Sequence, residues 1–151
     1  MTNAQQGSFR IERTYPAPPA RVFKAFADVD AKSKWFAAPG DWEMLERTFD
    51  FREGGTETLK GRWASGVVTA FDCAYWDIVP EKRIVYCYSM HQNQTKISVS
   101  LATLTFEPAG SGTKLTVFEH GAFLDGYDDA GQREHGTGVL LDRLGKSLEP
   151  N

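Results

Sequence analysis

The sequence predicts an α+β fold, in which a curved antiparallel sheet of about six to seven strands surrounds one long C-terminal helix. The stretch from Trp42 to Gly121 is rich in β-formers and often alternates in polarity, as strands do. Short turns at 53–55, 64–66, 80–82 and 108–112 contain Gly or Pro, and such connections favour antiparallel pairing. A helical pattern follows over 127–148, so the helices are segregated from most of the strands.

The elements before this stretch can be predicted in order. Residues 8–15 alternate between apolar and polar positions, which indicates a half-exposed strand, and residues 1–7 are expected to be a flexible N-terminus. Pro18 and Pro19 open a helix over 20–28. A second short helix, capped by Asp30, runs to 36, and Pro39 with the next glycine forms a turn. The later strands are predicted at 43–51, 56–63, 67–78, 83–91, 96–106 and 113–121.

The C-terminal helix changes character along its length. Its second half carries an apolar stripe at helical spacing, formed by Thr137, Leu140, Leu141, Leu144 and Leu148. Its first half is polar and contains three glycines, each of which costs about 0.5–1 kcal/mol relative to Ala in a helix. We interpret Gly131, Gly136 and Gly138 as allowing close approach of a sheet, a bulky side chain or a ligand. The alternative is a frayed loop that leads into a shorter helix.

Composition narrows the possible functions. A chain of 151 residues is expected to form one domain, 1–151, with a core of its own. The net charge of −3 argues against nucleic-acid binding, which needs a clustered basic face. No apolar run is long enough for a membrane span, and no export signal is evident, so we expect a cytoplasmic protein. Cys73 and Cys87 are expected to be reduced and to lie in strands. No motif indicates a metal or a cofactor.

Three stretches resemble the family of bacterial homologues of the heat-shock-protein-90 ATPase activator, within the START-like or SRPBCC superfamily. Residues 50–55 are similar to its D-x-R-x-G-G turn. Residues 76–86 resemble its E-I-x-P-x-x-R-I/L-V-Y strand–turn–strand segment, and 112–123 resemble its last strand. Trp35 also fits. The resemblance covers about residues 9–148 and implies a helix-grip fold with a cavity under the long helix, but it implies no particular activity.

One departure from the family pattern bears on the cavity. Many relatives carry Gly-Trp in the middle of the last helix, where this chain has Gly136 and Thr137. The missing indole removes a large side chain from the face toward the sheet. Either Trp63 or Trp76 fills this space from the sheet, or the pocket is larger than usual.

Glu119 is the strongest candidate for chemistry. Leu115 and Val117 share its face of the last strand by period two, so Glu119 should face the cavity. A carboxyl group there would be desolvated and could orient a ligand or act as a general base. The alternative places it at the cavity mouth, solvated or paired with Arg133.

Aromatic residues are the candidates for contact with an apolar ligand. The predicted ligand-binding residues are Trp63, Tyr75, Tyr86, Tyr88, Met90, Val117, Glu119, His135 and Val139. The alternative for the tyrosines is plain core packing. Which face of 67–78 points inward is left open, because both faces carry apolar residues and a bulge could switch them. None of the three histidines has a second ligand at metal spacing.

The predicted function is a binding module for a small apolar or aromatic molecule, without cofactor or metal. One alternative is a co-chaperone-like protein-interaction module, which would have a filled core and an exposed apolar patch. A second alternative is a cyclase, hydrolase or dehydratase that uses Glu119, although no catalytic constellation demands an enzyme. A homodimer through an exposed strand edge is also possible.

Overall fold

The architecture is a seven-stranded antiparallel sheet with three helices, seen in a computed structural model that describes residues 2–37 and 40–149. The strand order is β1-β7-β6-β5-β4-β3-β2, so the first strand closes one edge beside the last. The elements in chain order are β1 (Ala4–Tyr15), α1 (Pro19–Ala27), α2 (Val29–Ser33), β2 (Trp42–Phe49), β3 (Thr56–Trp63), β4 (Val68–Val79), β5 (Arg83–Gln92), β6 (Thr95–Ala109), β7 (Gly112–Leu124) and α3 (Ala130–Ser147).

This arrangement confirms the predicted α+β helix-grip fold, with corrections at the ends of elements. β1 begins at Ala4 rather than 8, because residues 4–7 of the expected flexible N-terminus pair with 121–124 of β7. The cap of α2 is Asp28 and not Asp30, since the Asp28 carboxylate accepts a hydrogen bond from the Ala31 amide at 2.9 Å. α3 begins at Ala130, capped by Asp129, rather than at 127. Pro39 of the predicted turn lies outside the described residues.

The core lies between the sheet and the helices. Val22, Phe23 and Phe26 of α1 are buried, and the rings of Phe23 and Phe26 meet Phe106 of β6 edge-on. At the other side, the Tyr15 hydroxyl donates to the Leu141 carbonyl oxygen at 2.8 Å, which fixes the C-terminal half of α3 against β1. The apolar stripe of α3 is therefore a core-packing face, as its spacing predicts.

The set of inward-facing residues on β4 changes at a bulge. Phe71, Cys73 and Tyr75 are buried, and the register with β5 shifts between Tyr75 and Asp77. Trp76 at the bulge is 68% exposed. Cys73 of β4 lies opposite Tyr88 of β5, and both are buried. The inward face of β4 therefore continues onto β5. The sequence alone does not predict which face points inward, because alternation cannot locate a bulge.

Candidate functional site

A cavity of about 500 Å³ lies between α3 and the sheet. Its walls are mainly apolar and aromatic, and the bulky side chains include those of Trp35, Phe36, Trp42, Trp63, Phe71 and Tyr86. α3 contributes its inner face from Gln132 to Arg143. The Arg143 guanidinium also donates to the Ala37 carbonyl oxygen, which ties α3 to the segment after α2. The arrangement can enclose a small molecule whose surface is mostly apolar.

The small residues of α3 leave this space open. A Cβ atom at Gly136 would meet no described atom within 4 Å outside its own helix and its chain neighbours. Gly136 and Thr137 both line the cavity, at the place where many relatives carry Gly-Trp. Trp63 lines the cavity from β3, whereas Trp76 points away from it into solvent. Of the two tryptophans that could compensate for the absent indole, only Trp63 faces the site.

One buried polar cluster lies where β5, β7 and α3 meet. The Tyr88 hydroxyl donates to Glu119 Oε1 at 2.6 Å and accepts from the Arg133 guanidinium at 3.0 Å. Arg133 also donates to Ser98 Oγ and to Asp128, each at 2.8 Å. Tyr88, Glu119, Arg133 and Asp128 all line the cavity. A ligand oxygen or N–H group that enters this end would therefore find both donors and acceptors.

Burial makes the Glu119 carboxyl group harder to ionise than a solvated one. Its side chain is buried, and burial raises its pKa above the usual value, although the hydrogen bond from Tyr88 and the charge of Arg133 oppose the rise. Burial also raises the pKa of Tyr88, so its phenol stays protonated and remains a donor. Glu119 faces the cavity, as the strand register predicts; it is buried rather than solvated at the cavity mouth, and the Tyr88 hydroxyl lies between it and Arg133.

A second buried cluster borders the same cavity near α2. Glu57 of β3 is fully buried, and its carboxylate accepts from Lys32 Nζ at 2.7 Å and from Arg47 at 2.6 Å. The Tyr75 hydroxyl donates to the same carboxylate. Lys32 Nζ also lies 4.4 Å from the centre of the Phe36 ring. Of these charged groups, Lys32 lines the cavity.

The protonation states in this cluster follow from burial and charge. Burial raises the pKa of Glu57, but Lys32, Tyr75 and Arg47 outweigh it and hold the pKa below its usual value. Burial lowers the pKa of Lys32, and the Glu57 carboxylate only partly offsets that effect. Glu57 is therefore an anion at neutral pH, and burial makes the Lys32 ammonium group easier to deprotonate than a solvated lysine.

Most of the predicted ligand-binding residues converge on the cavity. The seven that line it are Trp63, Tyr86, Tyr88, Met90, Val117, Glu119 and Val139. Two do not. Tyr75 is buried behind the wall, because its hydroxyl is bonded to Glu57. His135 is exposed and lines a separate depression against β1, since its side chain projects about 100° around α3 from the position of Gly136.

Sequence reasoning missed the Lys32 cluster. Period two in β3 places Glu57 on one face with Leu59 and Gly61, and this alternation was the available signal. Lys32 gave no such signal, because a five-residue helix is too short to display an apolar period. Elsewhere, Arg83 pairs with Asp77 across the β4–β5 hairpin, with 2.5 Å between Nε and Oδ2.

The described residues contain no cluster suited to a metal ion. Ranges 2–37 and 40–149 hold no group of three His, Cys, Asp or Glu side chains arranged for coordination. Cys73 and Cys87 are free thiols in β4 and β5, and burial raises the pKa of Cys73 to about 12, which makes it a poor nucleophile at neutral pH. In the same ranges, no helix has both the length and the apolar character needed to cross a bilayer.

The sheet order and the C-terminal helix define the class of the protein as a helix-grip fold. The chain belongs to the family described as "Activator of Hsp90 ATPase homolog 1-like protein", whose profile matches residues 16–149. The resemblance seen in the sequence motifs is thereby confirmed. None of the curated proteins compared with the chain matches it.

Solved structures of bacterial proteins are similar to this chain throughout its length. An uncharacterised protein from Rhizobium leguminosarum is 44% identical, with a TM-score of 0.93, and the match covers 98% of this chain and 97% of that one. The Mll3558 protein from Rhizobium loti is 42% identical, with a TM-score of 0.89 and coverage of 97% and 99%. The CV1439 protein from Chromobacterium violaceum is 28% identical, with a TM-score of 0.78 and coverage of 95% and 98%.

Proposed function

We propose that this protein is a binding module that holds a small apolar or aromatic molecule between α3 and the sheet. The observation that carries the proposal is the cavity itself, whose volume of about 500 Å³ falls within the range of small-molecule sites. Aromatic walls supply affinity through burial of apolar surface, at roughly 25 cal/mol per Å². The cluster of Tyr88, Glu119 and Arg133 supplies a few directional contacts that orient the bound molecule.

Native and denaturing mass spectrometry of freshly purified protein provides the first test. An additional mass that disappears on denaturation is expected for a ligand carried through purification. Isothermal titration calorimetry with 1-naphthaleneacetamide, a neutral aromatic probe, provides the second. The absence of both a bound mass and measurable heat of binding would contradict the proposal.

A pair of tryptophan substitutions on α3 connects binding to this cavity. Thr137→Trp puts an indole into the cavity and should abolish probe binding. Lys146→Trp adds the same side chain at an exposed position of the same helix and should leave binding unchanged. Equal binding by the two variants would mean that the probe occupies another site.

A co-chaperone-like role is a second candidate, and an apolar patch on the outer face of the sheet favours it. Val99, Leu101 and Phe118 are 45%, 46% and 50% exposed on the adjacent strands β6 and β7. This role predicts that the protein changes the ATPase rate of a purified bacterial heat-shock-90 chaperone. It also predicts that Phe118→Ser removes the effect while probe binding in the cavity persists.

An enzymatic role is a third candidate, because Glu119 and Tyr88 lie within hydrogen-bonding distance at the cavity wall. Glu119→Gln separates this role from binding. A binding module keeps most of its affinity for the probe in this variant, whereas an enzyme that uses the carboxyl group as a base loses turnover.

A further inference from the structure

We propose that the ligand is an organic acid, and that its carboxylate is held by Lys32 at the α2 end of the cavity. The inference rests on the proposed binding function and specifies the chemical class of the ligand. The apolar body of the acid would lie against the aromatic walls, while Lys32 would be the ionic anchor.

The position of Lys32 is the first argument. Its side chain is 6% exposed, yet it lines the cavity rather than the outer surface. Nζ donates to Glu57 at 2.7 Å and lies over the ring of Phe36, which also lines the cavity. An ammonium group has three N–H donors, and Glu57 accepts one of them. A carboxylate in the cavity can therefore accept another without breaking the Glu57 contact.

The charge in the cluster is the second argument. Lys32 and Arg47 share one carboxylate, that of Glu57, so two potential cations meet a single anion. One nitrogen of Arg47, Nη2, is buried and has no hydrogen-bond partner within residues 2–37 and 40–149. Buried charge without a counter-charge is unfavourable, and a ligand carboxylate beside Lys32 would balance it.

The other polar end of the cavity is unsuited to an acid, which fixes the orientation of the ligand. Arg133 is already paired with Asp128 at 2.8 Å, and the second carboxyl group, Glu119, lies beyond Tyr88. Asp128 already balances the charge of the Arg133 guanidinium, so a ligand carboxylate would find no uncompensated cation at this end of the cavity. A hydroxyl or amide N–H on the far end of the ligand fits Glu119 better.

Titration of Lys32 provides a signature of this binding mode. The groups that face its amine are Glu57 on β3, Arg47 on β2, and Cys73 and Tyr75 on β4. Burial holds the pKa of Lys32 below its usual value, with Glu57 opposing the shift. An added carboxylate would raise this pKa, so acid binding should take up protons at pH values between the free and bound pKa.

The test compares 1-naphthaleneacetic acid with 1-naphthaleneacetamide, which have nearly the same shape and differ in charge. Calorimetry on the wild-type protein should show the acid binding at least tenfold more tightly. Lys32→Met should reduce this preference to less than threefold, whereas Lys34→Met, at an exposed position two residues away, should preserve it. Glu57 keeps Arg47 and Tyr75 as partners in the Lys32→Met protein, which favours folding.

A second measurement uses the wild-type protein alone. Acid binding measured over a series of pH values, in buffers with different ionisation enthalpies, should reveal proton uptake in the range between the free and bound pKa of Lys32, and amide binding should not. Equal affinity of the two compounds, or a preference for the acid that survives Lys32→Met, would overturn the acid assignment while the cavity function stands. Binding of neither compound would contradict both.

Discussion

Replacing Glu57 with Gln tests whether the buried carboxylate organises the region around α2. The side chain is fully buried and accepts hydrogen bonds from Lys32, Arg47 and Tyr75. Gln preserves the shape but removes the negative charge, which leaves two cationic groups without their counter-charge. Breaking a buried ion pair in this way costs about 3–5 kcal/mol. For a chain of this size, the expected drop in Tm is roughly 6–20 °C.

Urea unfolding monitored by tryptophan fluorescence measures the free energy of unfolding of the wild type and the Glu57→Gln variant at pH 7. Because the pKa of Glu57 is lowered in the folded state, the stability it supplies is present above its unfolded pKa near 4.5. That stability is lost as pH falls through the lower folded pKa. The difference between the two proteins should therefore shrink in acid.

Glu43→Gln is the matched control, because it makes the same chemical change in an exposed pair. Glu43 lies 3.4 Å from Arg62 on neighbouring strands, and its side chain is 67% exposed. The unfolding midpoint of the Glu43→Gln variant should hardly differ from that of the wild type, since solvent screens exposed ion pairs. A loss below about 1 kcal/mol for Glu57→Gln, or equal effects at both sites, would refute the view that this carboxylate holds the region together.

Three further predictions concern α3, the core and the polar cluster. Gly136→Ala should raise the free energy of unfolding by about 0.5–1 kcal/mol in a denaturant titration, because a Cβ atom there meets open space and Ala favours the helix. A lower free energy of unfolding would mean that the site is crowded. Trp35→Ala should lower it by about 3–5 kcal/mol, since the buried indole is lost with its hydrogen bond to the Ala25 carbonyl oxygen; a loss below 1 kcal/mol would contradict this packing. Glu119→Gln should become more stable relative to wild type as pH rises above about 4.5. The pKa of Glu119 is raised in the folded state, so ionising the wild-type carboxyl group at higher pH destabilises the fold, whereas Gln does not ionise. A stability difference that stays constant between about pH 4.5 and 8 would contradict this prediction.

Sequence periodicity predicted the β7 face correctly. Leu115, Val117 and Glu119 alternate with outward residues, and all three are buried in the structure. The result follows from the pleat, because successive side chains on a strand point to opposite faces regardless of what packs against them. The same logic located most of the cavity lining on β5 and β7.

Tertiary contacts decided the residues that periodicity misassigned. Tyr75 points inward like Phe71 and Cys73 on β4. Its hydroxyl donates to Glu57 on the adjacent strand, so Tyr75 belongs to the second polar cluster and does not line the cavity. His135 is adjacent to Gly136 in sequence, yet the helix turns by about 100° per residue, so it faces β1 and not the cavity. A periodic pattern identifies one face of an element and does not identify the partner of that face.

The sequence by itself determined the order of the elements, the turns and the apolar faces, because these depend on neighbours along the chain. Only the tertiary structure brought Lys32 of α2 and Arg47 of β2 to one carboxylate, and it placed that cluster beside an open cavity under Gly136. The physical reason is that burial and charge compensation depend on which distant elements meet. Lys32 and Glu57 are 25 residues apart, and no local pattern links them.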